Sequence, residues 1–188
     1  MRVITGTARG MKLISLEGTE IIRPTADAVK EAMFSILQFD IDDAKVLDLF
    51  AGSGQLGIEA LSRGAEKCWF VDSSPASISV IKKNLEHTKL EDRAVVVNMP
   101  NSAFLRGFGE KIDIALLDPP YGKDLIQRSL PALTDIMSND GIILCEHEVG
   151  CRLPEEENGF IRIKEYKYGK IALSLYKRKQ TGEETESL

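Results

Sequence analysis

Val46-Leu47-Asp48-Leu49-Phe50-Ala51-Gly52-Ser53-Gly54-Gln55-Leu56-Gly57 runs from a short apolar strand through a glycine-rich turn into a helical pattern. Glycine is needed where the backbone must turn tightly or approach a ligand with no side chain in between. Taken literally, Gly52-x-Gly54-x-x-Gly57 matches the dinucleotide fingerprint. Asp72, twenty residues past Gly52, ends the next apolar run, where an acid can bind ribose hydroxyls. The turn therefore predicts a nucleotide-like ligand spanning Phe50, Ala51, Gly52, Ser53, Gly54, Leu56, Asp72 and Ser73. Asp48 separates the possible ligands. A carboxylate there is unfavourable beside a pyrophosphate but suits a ligand that carries an ammonium group, such as the aminopropyl end of S-adenosylmethionine. The plainer readings are a turn or helix cap for Asp48 and a surface acid closing a strand for Asp72.

Outward from this turn, apolar runs of strand length alternate with helical patterns, the signature of a parallel sheet with crossover helices. Strands are expected at Lys45–Leu49, Lys67–Val71, Ala94–Val97, Ile112–Leu117 and Gly141–Glu146. Helices are expected at Gln55–Ser62, Pro75–His87 and Asp124–Met137, with a short helix or loop at Ser102–Phe108. Asn139-Asp140-Gly141 reads as the turn before the fifth strand. Phe160–Tyr166 and Ile171–Tyr176 then alternate apolar and polar residues around Tyr168-Gly169, which predicts an antiparallel hairpin. An α/β sheet of seven mostly parallel strands ending in such a hairpin resembles the Rossmann-like class I S-adenosylmethionine-dependent methyltransferases. Residues 1–40 read as an N-terminal extension, a short β-hairpin around Gly6–Gly10 followed by a helix from Ala26 to Leu37. Residues 41–179 form the main domain, and the polar stretch 180–188 is expected to be a disordered tail.

The fourth strand runs straight into Asp118-Pro119-Pro120-Tyr121. Two prolines fix φ and offer no N–H, so the turn is stiff. In an open α/β sheet it stands at the carboxyl ends of the strands, where ligands sit. An exocyclic amine on a nucleobase is a weak nucleophile because its lone pair is delocalised into the ring. Methylating it requires acceptors for its N–H groups, which the Asp118 carboxylate and the Pro119 carbonyl supply, while Tyr121 offers a stacking face for an unpaired base. The plain alternative is a β-turn with a partly buried tyrosine.

The net charge of −5 argues against a uniformly basic nucleic-acid binder, but local field matters more than the sum. Residues 1–30 hold five basic and three acidic side chains; residues 160–179 hold seven basic ones against Glu165. Cys68, Cys145 and Cys151 form no C-x-x-C pair and lie in or near apolar runs, so neither a disulfide framework nor a zinc site is expected. His87 and His147 show no ligand or triad spacing, and no metal is expected. No apolar stretch suits a signal peptide or membrane span, which sets the expectation of a cytoplasmic protein.

Asp48-x-Phe50-x-Gly52-x-Gly54 together with Asp118-Pro119-Pro120-Tyr121 resembles the methyltransferases acting on adenine N6 or guanine N2. From Arg2 to about Arg178 the chain is similar to the RsmD family, bacterial methyltransferases of guanine N2 in small-subunit ribosomal RNA. The likeness includes Arg2-Val3-Ile4-x-Gly6-x-Ala8-Arg9-Gly10, Arg23-Pro24-Thr25, Val29 to Phe34, Glu146-His147 and Lys167-Tyr168-Gly169. The resemblance implies S-adenosylmethionine as cofactor and, as partner, ribosomal RNA within the small subunit or an assembly intermediate. It also implies RNA contacts from Arg2, Arg9, Lys12 and Arg23, with Thr25 near the transferred methyl group. After the third strand the family places an aspartate against the adenine; here Asn98-Met99-Pro100-Asn101 departs from it, and Asn101 is the expected substitute. The rival expectations are a DNA adenine-N6 methyltransferase, a nicotinamide-dependent oxidoreductase and a non-catalytic RNA-binding module. The first lacks a separate target-recognition domain, and the second leaves Asp48 and Asp118–Tyr121 unexplained.

Overall fold

The computed structural model describes residues 1–16 and 24–180. Its elements are α1 (Pro24–Ile36), β1 (Lys45–Asp48), α2 (Gln55–Ser62), β2 (Lys67–Asp72), α3 (Pro75–Thr88), β3 (Ala94–Asn98), α4 (Asn101–Gly107), β4 (Ile112–Leu117), α5 (Leu125–Ile136), β5 (Met137–Glu148), β6 (Glu156–Glu157), β7 (Phe160–Tyr168) and β8 (Ile171–Arg178). The strands form one sheet in the order β3-β2-β1-β4-β5-β8-β7-β6. β3 to β5 are mutually parallel, whereas β8 runs antiparallel between β5 and β7. The seven expected strands are all present, and the two-residue β6 adds an eighth at the β7 edge. Chain order reverses between β1 and β4, so the crevice over their carboxyl ends is the topological switch point.

Both sheet faces are covered, which is why β1 and β4 read as continuous apolar runs rather than alternating ones. On one face Met33, Phe34, Ile58, Leu61, Phe70 and Ile81 pack together; on the other Leu47, Trp69, Ile112, Leu130, Leu133 and Tyr176 do so. Gly57 belongs to this packing. A Cβ built on it lies 2.3 Å from the Phe70 ring, so only glycine lets α2 seat against β2. α3 begins with Ser74 accepting the Ser77 N–H and Pro75 at the first turn, and it ends where Lys89 turns left-handed at φ 56°.

One expectation changes. No turn separates α5 from β5 at Asn139-Asp140-Gly141; β5 already starts at Met137 and pairs with Ile112. The turn-forming residues fall in an irregularity: the register passes from Ile112–Met137 to Ile114–Ile142, so residues 138–141 form a bulge within the strand. The short N-terminal hairpin is present: Arg2 bridges Lys12 antiparallel, and the Val3, Gly10 and Leu13 N–H groups donate to the Met11, Val3 and Met1 carbonyls at 3.0, 2.9 and 3.2 Å. At its tip the donors go to α2: Ile4 and Thr5 N–H to the Glu59 carboxylate at 2.7 and 3.0 Å, and Thr7 and Ala8 N–H to the Ser62 carbonyl and hydroxyl at 2.8 and 3.0 Å. Gly6, at φ 86°, permits this contact, since a Cβ there would lie 1.7 Å from the Ser62 carbonyl oxygen. Val3, Ala8, Leu13, Val29 and Leu37 consequently share one core cluster with β1 and α2.

Candidate active site

A cleft of about 680 Å³ opens over the carboxyl ends of β1, β2 and β4, within the size range of small-molecule sites. The glycine turn and the Asp118–Tyr121 turn face each other across it, and Gly52, Asp72, Asn101, Asp118 and Tyr121 all line it. Asp72 is held rigidly: one carboxylate oxygen accepts the Gly52 N–H at 2.9 Å and the other the Ser74 N–H at 2.8 Å. Gly52 has φ 54°, and a Cβ there would meet nothing closer than the Phe50 carbonyl at 3.9 Å, so conformation rather than crowding requires glycine. Phe50, Ser73, Pro119 and Pro120 complete the predicted lining.

Other predicted cofactor residues stand behind the cleft. Asp48 is 1% exposed and accepts the Gly57 N–H at 2.9 Å. Burial is the main cause that raises its carboxyl to about 7, against the lowering effect of that hydrogen bond. Ala51 and Leu56 are core residues. Gly54, at φ 79°, caps α2 and sits against Ile81 and Phe70. The Ser53 carbonyl accepts from the Asn84 amide at 2.9 Å, and its hydroxyl meets the Met1 sulfur at 3.5 Å. Asn101 lines the cleft, but its amide donates to the Ser129 hydroxyl at 2.9 Å.

At the Asp-Pro-Pro-Tyr turn, Tyr121 is 42% exposed and its phenol donates to Glu146 at 2.9 Å. Burial and the neighbouring Glu146 carboxylate push the Asp118 carboxyl well above the usual carboxylate range, and burial pushes the Glu146 carboxyl up too. Burial and Glu146 likewise push the Tyr121 phenol upward. Such a site holds negative charge at a cost and favours groups that donate N–H bonds or develop positive charge.

Of the residues expected at RNA, Arg2, Arg9 and Lys12 are exposed on the N-terminal loop. Arg23 and the side chain of Thr25 lie outside what is described. Sequence reasoning passed over Glu146 as a site residue, although it stands one residue past the end of the β4–β5 pairing. It also missed the buried Glu59, whose carboxylate meets Arg63 at 2.8 Å and Lys30 at 3.8 Å beneath the N-terminal loop. Nothing in the local pattern of α2 distinguishes Glu59 from a solvated helix charge. Both nitrogens of buried His147 are engaged, one with Ser174 at 2.8 Å and the other with its neighbour's carbonyl, consistent with a structural role. Among the described residues no helix is long and apolar enough to cross a membrane.

A family model described as conserved hypothetical protein 95 matches residues 1–177. Ribosomal RNA small subunit methyltransferase D of Escherichia coli is 36% identical over 185 residues, spanning 97% of this chain and 92% of its own length. The chain belongs to the RsmD family. The Haemophilus influenzae protein of the same name is 35% identical over 181 residues, covering 94% of this chain and 93% of its own. Among solved structures, yhhF from Escherichia coli superposes with a TM-score of 0.82 at 35% identity, across 95% of this chain and 98% of that one. This family member is thus a methyltransferase.

Proposed function

We propose that this methyltransferase uses S-adenosylmethionine to methylate the exocyclic N2 amine of a guanine in small-subunit ribosomal RNA. The observation that carries the reading is the placement of Asp118 and Tyr121 on the same cleft as Asp72 and Gly52. The residues fit the cofactor: Asp72, oriented by two backbone N–H groups, suits a ribose diol, and Gly52 leaves its wall free of a side chain. Asn101 and the apolar Leu125 line the same cleft and would flank the adenine. Asp48 acts from behind, adding negative potential beneath the glycine turn that favours the ligand's ammonium group. When bound, S-adenosylmethionine supplies an electrophilic methyl group on a sulfonium.

The chain's own contribution is positioning and electrostatics. The Asp118 carboxylate and the Pro119 carbonyl accept the two N–H bonds of the target amine, turning its lone pair out of ring conjugation. Tyr121 stacks on the base, with its hydroxyl anchored by Glu146. On methylation the surplus amine proton would pass to Asp118, whose raised carboxyl makes it a better base than an ordinary aspartate. Residues 1–40, with exposed Arg2, Arg9 and Lys12, would lie along the RNA backbone, and residues 41–179 would carry the chemistry in a cytoplasmic enzyme acting on the small subunit or an assembly intermediate.

The test is transfer from S-adenosylmethionine labelled on its methyl group, with ribosomal RNA, small subunits and DNA offered in parallel and products resolved as nucleosides. N2-methylguanosine from ribosomal RNA or subunits is expected. N6-methyladenine in DNA, or no label anywhere, overturns the assignment.

A further inference from the structure

Leu117 of β4 and Cys145 of β5 are register partners on adjacent parallel strands. The next residue on each strand is a carboxylate, Asp118 and Glu146. Neighbouring parallel strands lie about 4.8 Å apart and residues in register point to the same side of a sheet, so the two acids emerge together at the carboxyl edge. Each is half-buried. Tyr121 fixes Glu146 by donating to one carboxylate oxygen at 2.9 Å, and among the described residues the other oxygen has no hydrogen-bond partner. Pro119, Pro120 and Tyr121 line both the main cleft and the recess that holds Glu146. Burial raises both carboxyls and the Glu146 charge raises Asp118 further, an arrangement that destabilises the empty site and is relieved by a ligand offering two adjacent donors.

Nucleobases differ at this point. Guanine presents N1–H beside its N2 amine, two adjacent donors. Adenine presents an N1 lone pair beside its N6 amine, which would face a carboxylate with no hydrogen between them. We propose that Glu146 is the specificity-determining residue for the acceptor, taking the guanine N1–H while Asp118 takes the N2 amine. This rests on the guanine-N2 reading above and deepens it: the Asp-Pro-Pro-Tyr turn presents any exocyclic amine, and the neighbouring strand selects the ring that carries it. A site built to hydrogen-bond a donor discriminates strongly against an analogue that replaces the donor with a lone pair, because the buried acceptor is then left unpaired.

2-Aminopurine retains the 2-amine but has a lone pair at N1 and a hydrogen in place of O6, so the change in its ratio to guanine between Glu146 variants isolates the contact. Ribosomal RNA, free or assembled according to which form the transfer assay labels, is ligated to carry guanine or 2-aminopurine at the labelled nucleotide. Their kcat/KM values are compared in the wild type, Glu146→Gln and Glu146→Asp, with folding of each variant checked by its thermal midpoint. The wild type is expected to prefer guanine by about 100-fold. Glu146→Gln, whose amide can donate to N1, is expected to bring the ratio within about tenfold of unity or to invert it. Glu146→Asp keeps an acceptor and should retain the guanine preference, which keeps the test decisive if the glutamine variant folds poorly. Methylated guanine with the same ratio in wild type and Glu146→Gln, or no preference in the wild type, overturns the role of Glu146 alone. Label on adenine instead of guanine overturns the guanine-N2 reading and this inference together.

Discussion

Asp118→Ala removes the acceptor of the target amine while leaving Asp72 and Gly52 hydrogen-bonded across the other half of the cleft. Calorimetric affinity for S-adenosylmethionine should stay within a few-fold of wild type, whereas label incorporation should fall by about 10² to 10³, the usual effect of losing one preorganised polar group. Full activity in the variant would refute the assignment. Asp48 makes a different prediction, because its buried carboxyl is raised from 3.8 to about 7. Between those values the folded chain holds a proton that the unfolded chain has lost, so stability falls as pH rises through this window. The penalty, on the order of 4 kcal/mol at full ionisation, is complete above about pH 7. Asp48→Asn removes the charge but buries an amide donor without a partner, which costs about 1–3 kcal/mol. Its urea midpoint relative to wild type is therefore expected to rise between about pH 4 and pH 8, lying below wild type at the acid end and above it at the alkaline end. A pH-independent difference between the two proteins would rule out the buried charge as the cause.

At the scale of elements, the three glycines of the fingerprint do separate jobs. Gly52 serves the cleft through its backbone conformation, Gly54 starts α2, and Gly57 lets α2 approach Phe70. Gly57→Ala should force helix and strand apart and destabilise the fold by about 1–3 kcal/mol, read as a shift in denaturant midpoint at unchanged slope. The alternation of strand and helix was legible because each element carries its own period and the motif sits where a parallel strand meets its helix. Asn139-Asp140-Gly141 misled because turn residues report local backbone preference, while the continued β4–β5 ladder is a gain that only the partner strand supplies. The hairpin around Gly6–Gly10 was legible from its turn residues, but its docking was not, since Glu59 and Ser62 on a distant helix capture the N–H groups of its tip.

On the scale of the whole molecule, Glu59 ties the basic N-terminal loop to the domain that holds the cleft. It is fully buried with Lys30 and shares its carboxylate with Arg63 and two loop N–H groups. Glu59→Ala leaves the Lys30 ammonium buried without its counter-charge and should cost about 3–5 kcal/mol by chemical denaturation. If Arg2, Arg9 and Lys12 lie on RNA phosphates, neutralising each should weaken RNA binding and lower the slope of log affinity against log salt by about 1. Unchanged slopes in all three variants would move the RNA interface elsewhere, with the basic β7–β8 hairpin the next surface to test.

By itself the sequence determined the parallel sheet, the closing hairpin, the glycine and Asp-Pro-Pro-Tyr turns at strand ends, and the family. All of these are written in short contiguous segments whose periodicity and turn chemistry act locally. Only the tertiary structure decided which residues face the cleft. Asp48 lies behind it as a buried acceptor for Gly57, Asn101 reaches it while bonded to Ser129, and Glu146 arrives beside Asp118 because β5 pairs with β4 in register. Those placements depend on burial and on pairing between segments far apart along the chain, and neither quantity exists until the strands have met.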